Sequence, residues 1–209
     1  MDLIQTEALA NKGDAKAQCS LSTRYAFGDG VTKDTSKAIY WAQKAANQGY
    51  AESQCDLGSY YYNGDGIRQD YAEALKWFKK SAAQGYTQAK CSLGVMYSDG
   101  FGVRQDYVEA FKWLKEAASE GYANAQILLS QAYYHGQGVR QDSAKVVEWL
   151  LKAANQGNTY AQNSLGFIYS NGTGVRRDYS VAKEWFGKAC DNGSQDGCDE
   201  YRKLNKRGY

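Results

Sequence analysis

The chain repeats itself every 36 residues, and that period restricts it to an array of stacked supersecondary units. Glycines stand at Gly13, Gly49, Gly85, Gly121, Gly157 and Gly193. All five tryptophans keep the same interval, as Trp41, Trp77, Trp113, Trp149 and Trp185. So do Tyr25, Tyr61, Tyr97, Tyr133 and Tyr169, and likewise Leu21, Leu57, Leu93, Leu129 and Leu165. Two further glycines recur in every unit, Gly64 and Gly66 in the second. No insertion interrupts the five copies. Of the 22 glycines, 19 fall on repeat positions, and the chain has no proline. At a usage of roughly 5%, about ten prolines would be expected. Collagen, polyproline and proline-rich linkers are thereby excluded, and the glycines read as punctuation.

One unit, residues 49–84, shows what is punctuated. Ser53, Leu57, Gly58 and Tyr61 share one face at helical spacing, which predicts a helix over 51–62. Asn63-Gly64-Asp65-Gly66 ends it, because glycine reaches the left-handed backbone that a tight exit needs. Asp70 reads as the N-cap of a second helix, with Glu73 three residues on completing a capping box, and Asp106 with Glu109 repeats the box. The second helix presents Ala74, Trp77, Phe78 and Ala82, and Gly85 closes it. Each unit is a pair of antiparallel helices. A lone pair cannot bury both faces, so neighbours must stack. The prediction is an all-α fold, a right-handed α/α superhelical solenoid of five hairpins, 13–48, 49–84, 85–120, 121–156 and 157–192. Residues 1–12 read as a capping second helix and 193–209 as a capping first helix with a polar outer face. Small residues (Gly58, Gly94, Gly166; Ala46, Ala82, Ala118, Ala154) are placed to let helices approach closely, and the tryptophans to wedge between layers.

Charge excludes further classes. Lys and Arg total 25 against 23 Asp and Glu, a net +2, so there is no basic field for nucleic acid or an anionic membrane. No apolar run approaches the roughly 18 residues of a membrane span. Acids at Asp2 and Glu7 replace the basic region of a signal peptide. The expectation is a cytoplasmic protein if the chain is the complete gene product, and a periplasmic or secreted one if a leader was removed.

The repeated string A-x-A-Q-x-x-L-G-x-x-Y-x-x-G-x-G-V-x-x-D-Y-x-x-A-x-x-W-x-x-K-A-A-x-x-G resembles the Sel-one-like repeat family, related to the tetratricopeptide helical solenoids. The resemblance covers residues 13–193; Ser22 and Ser130 depart at the mid-helix glycine and Ser143 at the tyrosine after the cap. It implies an adaptor or scaffold without catalytic residues or cofactor. It also implies bacterial relatives acting at host contact, in envelope assembly or as immunity proteins against toxins.

Five cysteines divide into two groups. Cys19, Cys55 and Cys91 share one repeat position, and equivalent helices lie beyond the roughly 7 Å reach of a disulfide, so they read as reduced packing residues. The stretch 189–198 resembles the disulfide-forming turn of the family's cysteine-rich branch. That implies a Cys190–Cys198 bridge and an oxidising compartment, in tension with the N-terminal reading; two free thiols are the alternative. The branch is also associated with β-lactam binding, but no nucleophile with an aligned base stands out. The single histidine, His135, ends a first helix on a variable position with no metal-ligand pattern around it. Arg68, Arg104, Arg140 and Arg176 form a row one repeat apart, suited either to an acidic partner or to pairing with local carboxylates and helix ends.

Repeat-invariant positions build the core, which leaves recognition to the variable ones. On the first helices the arc opposite the leucine includes Glu52, Asp56, Ser59, Tyr62 and Asn63 in the second unit. By analogy with tetratricopeptide folds this face lines the concave groove. Its aromatic and apolar members, Tyr60, Tyr62, Met96, Leu128, Tyr134, Tyr160 and Phe167, are the candidate anchors for a protein or peptide partner. No metal or cofactor is expected, no nucleic acid and no membrane insertion, and the chain reads as a monomer.

Overall fold

The computed structural model describes residues 2–209, which form twelve α-helices and no strand. They are α1 (Leu3–Asn11), α2 (Ala15–Phe27), α3 (Thr35–Asn47), α4 (Ala51–Asn63), α5 (Tyr71–Ala83), α6 (Thr87–Asp99), α7 (Tyr107–Ser119), α8 (Ala123–His135), α9 (Ser143–Asn155), α10 (Thr159–Asn171), α11 (Tyr179–Asp191) and α12 (Gln195–Lys206). Even-numbered helices from α2 to α10 are the first helices of the repeats, and α3 to α11 the second. The chain divides into two compact units, one ending at Asp106 and the other running Tyr107–Tyr209. In each, helices pack against their neighbours in sequence: α2 on α3 and α4 on α5 in the first unit, α8 on α9 and α10 on α11 in the second.

Every helix boundary has a local cause. All sixteen punctuation glycines hold a positive φ, between 68° and 99°, and no other residue type does among those described. At Gly64, φ is +77° and its N–H donates to the Tyr60 carbonyl, closing α4. A side chain at Gly102 would run into the Tyr71 carbonyl, so that loop position needs glycine for space as well as for φ.

Each second helix begins at an aspartate. Asp34, Asp70, Asp142 and Asp178 accept from amides two or three residues on, as N-caps do. The capping box expected at Glu73 does not form. The Asp70 N–H that it would engage donates instead to the Tyr61 carbonyl at 2.9 Å, and Glu73 pairs with Lys76 at 3.1 Å. The same backbone bond recurs from Asp34 to Tyr25, Asp106 to Tyr97, Asp142 to Tyr133 and Asp178 to Tyr169.

Leu21, Leu57, Leu93, Leu129 and Leu165 are wholly buried. Trp77, Trp149 and Trp185 are buried beside them, while Trp41 and Trp113 are half-buried. Lysine ammonium groups lie 4.1, 3.9 and 4.1 Å from the ring centres of Trp77, Trp149 and Trp185, which makes these rings covered wedges rather than open ligand platforms. Close packing at the mid-helix position is size-matched. A methyl on Gly58 would stand 2.8 Å from the Phe78 ring, and one on Gly166 would stand 2.5 Å from that of Phe186. Where serine replaces the glycine, at Ser22 and Ser130, the equivalent of Phe78 is the smaller Ala42 or Leu150.

A polar ladder threads this core. Gln18, Gln54, Gln126 and Gln162 are buried, and their Nε2 groups donate to the carbonyls of Ala10, Ala46, Ala118 and Ala154 at 3.0–3.2 Å. Their Oε1 atoms accept from Gln48, Gln84, Gln156 and Asn192 at 2.7–3.1 Å. Each buried amide is thus paired at both ends, as an unpaired one would be costly. At the C-terminus Cys190 and Cys198 form a disulfide that joins the end of α11 to the start of α12. Cys19, Cys55 and Cys91 are free and buried. Burial pushes the thiols of Cys19 and Cys91 up to about 12, so they stay protonated and unreactive.

Candidate functional site

Of the candidate anchors, Tyr62 lines a cavity in the first unit, and Tyr134, Tyr160 and Phe167 line one in the second. In the first unit a cavity of about 190 Å³ opens between α4 and α6. Its walls are Ser59, Tyr62, Asn63, Ser92 and Val95, and Phe78 of α5 is its floor. Ser59 and Ser92 donate their hydroxyls to carbonyls of their own helices, at 3.1 Å each, which leaves the cavity largely apolar. Tyr62 is held edge-on against Tyr71 and Phe101, with ring centres 5.4 and 5.9 Å away. Burial and the Asp99 charge raise its phenol pKa.

In the second unit a cavity of about 330 Å³ lies between α8 and α10 over Val146 and Leu150 of α9. Tyr134, Tyr160 and Phe167 line it while remaining 57%, 55% and 44% exposed. The Tyr160 hydroxyl accepts from Gln131 across the gap at 3.2 Å, and Phe167 rests edge-on against Phe186. His135 also lines this cavity, its ring 4.9 Å from that of Tyr134.

The other expected anchors divide. Leu128 is half-buried on α8 and does not line the cavity. Tyr60 is half-buried against Ile39, Ala46, Leu57 and Trp77, and its phenol pKa is raised by burial. Met96 is wholly buried and is no anchor. It stands three residues after the core leucine Leu93, about 60° round the helix, and the apolar stripe of a helix packed on two sides is wider than that. Ala132, at the same position, is buried too. Conversely, the floor residues Phe78, Val146 and Leu150 escaped the sequence reading because second-helix positions look like pure core. The arginine row, Arg68, Arg104, Arg140 and Arg176, is exposed and makes no ion pair among the described residues.

Two carboxylates stand on the same face of α4. Asp56 is half-buried, and burial together with the Glu52 charge raises its pKa to about 6. Among the described residues no group of His, Cys, Asp or Glu could hold a metal, and no helix is long and apolar enough to cross a membrane.

A family model for the Sel1 repeat matches residues 15–50, 51–86, 87–122, 123–158 and 159–194. The chain belongs to the Sel1 repeat family. These frames cut the 36-residue period two residues later than the glycine-based ones. Among solved structures, a protective antigen of uropathogenic Escherichia coli strains, displaying the Sel1-like repeat fold, is similar over the whole chain at 40% identity and TM-score 0.89. The chain spans 44% of that protein's length. A Sel1 repeat protein from Oxalobacter formigenes is 31% identical with TM-score 0.82, covering 94% of this chain and 78% of that one. An immunity protein from Pseudomonas aeruginosa shares the fold at 22% identity and TM-score 0.63, covering 90% of this chain and 72% of its own. No curated protein sequence matches. The chain is therefore an all-α Sel1 repeat solenoid. Sel1 repeat proteins generally mediate protein–protein interaction and are generally non-catalytic scaffolds.

Proposed function

We propose that this Sel1 repeat chain is a non-catalytic scaffold that captures a protein or peptide partner on the first-helix face of its repeats. The carrying observation is the cavity between α8 and α10, where three exposed aromatic side chains surround an apolar floor. Exposed tyrosine beside a recess supplies contact area at small entropic cost, the usual make-up of a binding hot spot. A photocrosslinking residue placed at Tyr134 or Tyr160 in the native cell is expected to trap one protein, whereas the same residue at exposed Lys115 on α7 traps none. Serine at both tyrosines should abolish co-purification of that protein while leaving helicity unchanged. Retained capture by the double variant would remove this face from the reading.

A narrower reading is a host-contact or immunity role in which the face clamps a single dedicated partner. The 40% identity over the whole chain to an E. coli protective antigen favours it. So does the Cys190–Cys198 bridge, which suits a periplasmic or extracellular setting. A stoichiometric one-partner complex in native pull-downs is the expected result, and a broad set of weak partners would count against it. Mass spectrometry of unreduced native protein is expected to find the two cysteines bridged; free thiols would return the chain to the cytoplasm.

A further inference from the structure

Opposite the buried leucine of α4 runs a row at helical spacing: Glu52, Asp56, Ser59 and Asn63. Its Ser59–Asn63 end borders the cavity of about 190 Å³ floored by Phe78. Its other end holds the two carboxylates, with the tyrosines that precede α4 and α6 beside them. Burial raises the phenol pKa values of Tyr50 and Tyr86, and the nearby Glu52 charge adds to both. Next to Glu52 in sequence, Ser53 is wholly buried, and the Cys19 thiol lies near its hydroxyl and the Glu52 carboxyl.

The acid pair has no counter-ion. Some acids elsewhere are matched on their own helices, Glu73 by Lys76, Glu109 by Lys112 and Glu148 by Lys145 and Lys152. Neither Glu52 nor Asp56 makes an ion pair among the described residues, and burial, with the like charge of Glu52 second, raises the Asp56 pKa. Withdrawing a carboxylate from water without a counter-charge costs folding free energy. A half-buried acid without an ion pair, three residues along α4 from the cavity wall at Ser59, suits a cation supplied from outside.

We propose that the first-helix face of the N-terminal unit docks a partner segment bearing a lysine or arginine side chain, received by Glu52 and Asp56, together with an apolar side chain received by the cavity between α4 and α6. Seven residues of helix separate the two subsites, about 10 Å. The inference rests on the scaffold reading above and narrows it to a basic–apolar segment. With a net charge of only +2, the chain has no general attraction for cations, so the preference is local to this recess.

The test uses random twelve-residue peptides displayed on phage and selected in parallel on the full-length protein and on the E52Q/D56N variant. Selection on the wild type is expected to enrich peptides that carry a basic residue together with a leucine- or phenylalanine-type residue. Synthetic copies should bind the variant about tenfold more weakly or worse, the loss of a charged hydrogen-bonding partner, and wild-type affinity should fall as salt rises. On the variant the apolar enrichment should persist without the basic one. Enriched peptides that are neutral or acidic, or basic peptides that bind both proteins equally, would overturn this proposal and leave the scaffold reading standing. No enrichment over naive phage on either protein would count against both, and circular dichroism of the variant guards against misfolding as the cause.

Discussion

At the scale of single residues, the repeat tolerates substitution only where a neighbour changes with it. Gly58 and Gly166 face phenylalanine rings at distances no methyl group can share, whereas serine appears where the opposing residue is smaller. Gly58→Ala should therefore destabilise the protein by about 1–3 kcal/mol, the range for an overpacked core. Urea denaturation checks this, and F78L in the same chain should recover much of the loss. Asp56 supplies the pH signature. Its carboxyl pKa is raised from 3.8 to about 6, so the folded state holds the proton more tightly than the unfolded chain does. Stability is greatest below pH 4 on this account and is lost as pH rises through 6. The groups facing it are Glu52, Tyr60, Tyr86, Cys55 and Cys19, none of them cationic. D56N should thus raise stability by up to about 3 kcal/mol at pH 7.5, at 1.36 kcal/mol per pKa unit, and leave it unchanged at pH 4. Thermal melts at the two pH values measure it; equal shifts at both would contradict the assignment.

At the scale of elements, second helices are amphipathic and first helices are not. The first are packed on two sides and carry small or polar residues within the core, such as Ser53 and Gln54 in α4. The glutamine ladder is what makes this tolerable, tying four of the five first helices, α2, α4, α8 and α10, to the last turn of the second helix before each. Gln54→Leu would remove two hydrogen bonds, a net cost of about 0.5–1.5 kcal/mol each, since the Ala46 carbonyl still accepts from the Gly49 N–H and Gln84 is exposed to water. Native-state hydrogen exchange should show α3 and α4 opening more readily, and uniform acceleration across all helices would point to a different cause. The string Ala-x-Ala-Gln displays the glutamine in sequence. That it is buried and paired at both ends is legible only once α4 lies against α3 and α5.

For the whole molecule, packing between sequence neighbours means that stability accrues locally and the ends are weakest. α12 buries only Gly197 and Leu204, and the disulfide to α11 adds a covalent tie to that packing. Cys190→Ser with Cys198→Ser should cost about 2–3 kcal/mol, the order for a bridge closing so short a loop. Hydrogen exchange should speed up in α11 and α12 while α2 to α5 keep their protection. Acceleration in the first unit of the chain would show a cooperativity that nearest-neighbour packing does not provide.

The period and the pairing of its helices were determined by the sequence alone. They depend on interactions within a few residues: glycine at positive φ, aspartate on the next amides, leucine every 36 positions. Only the tertiary structure decided which variable residues are free to touch another molecule. Met96 and Tyr134 look alike as apolar members of first helices, yet one is buried and the other is 57% exposed. The difference lies in how far each position turns toward the neighbouring helix. In the same way the sequence places Glu52 and Asp56 on the face opposite Leu57, but that Asp56 is half-buried there emerges only once α4 is flanked. Exposure and desolvation are properties of neighbours brought together by packing, and a single chain's pattern does not contain them.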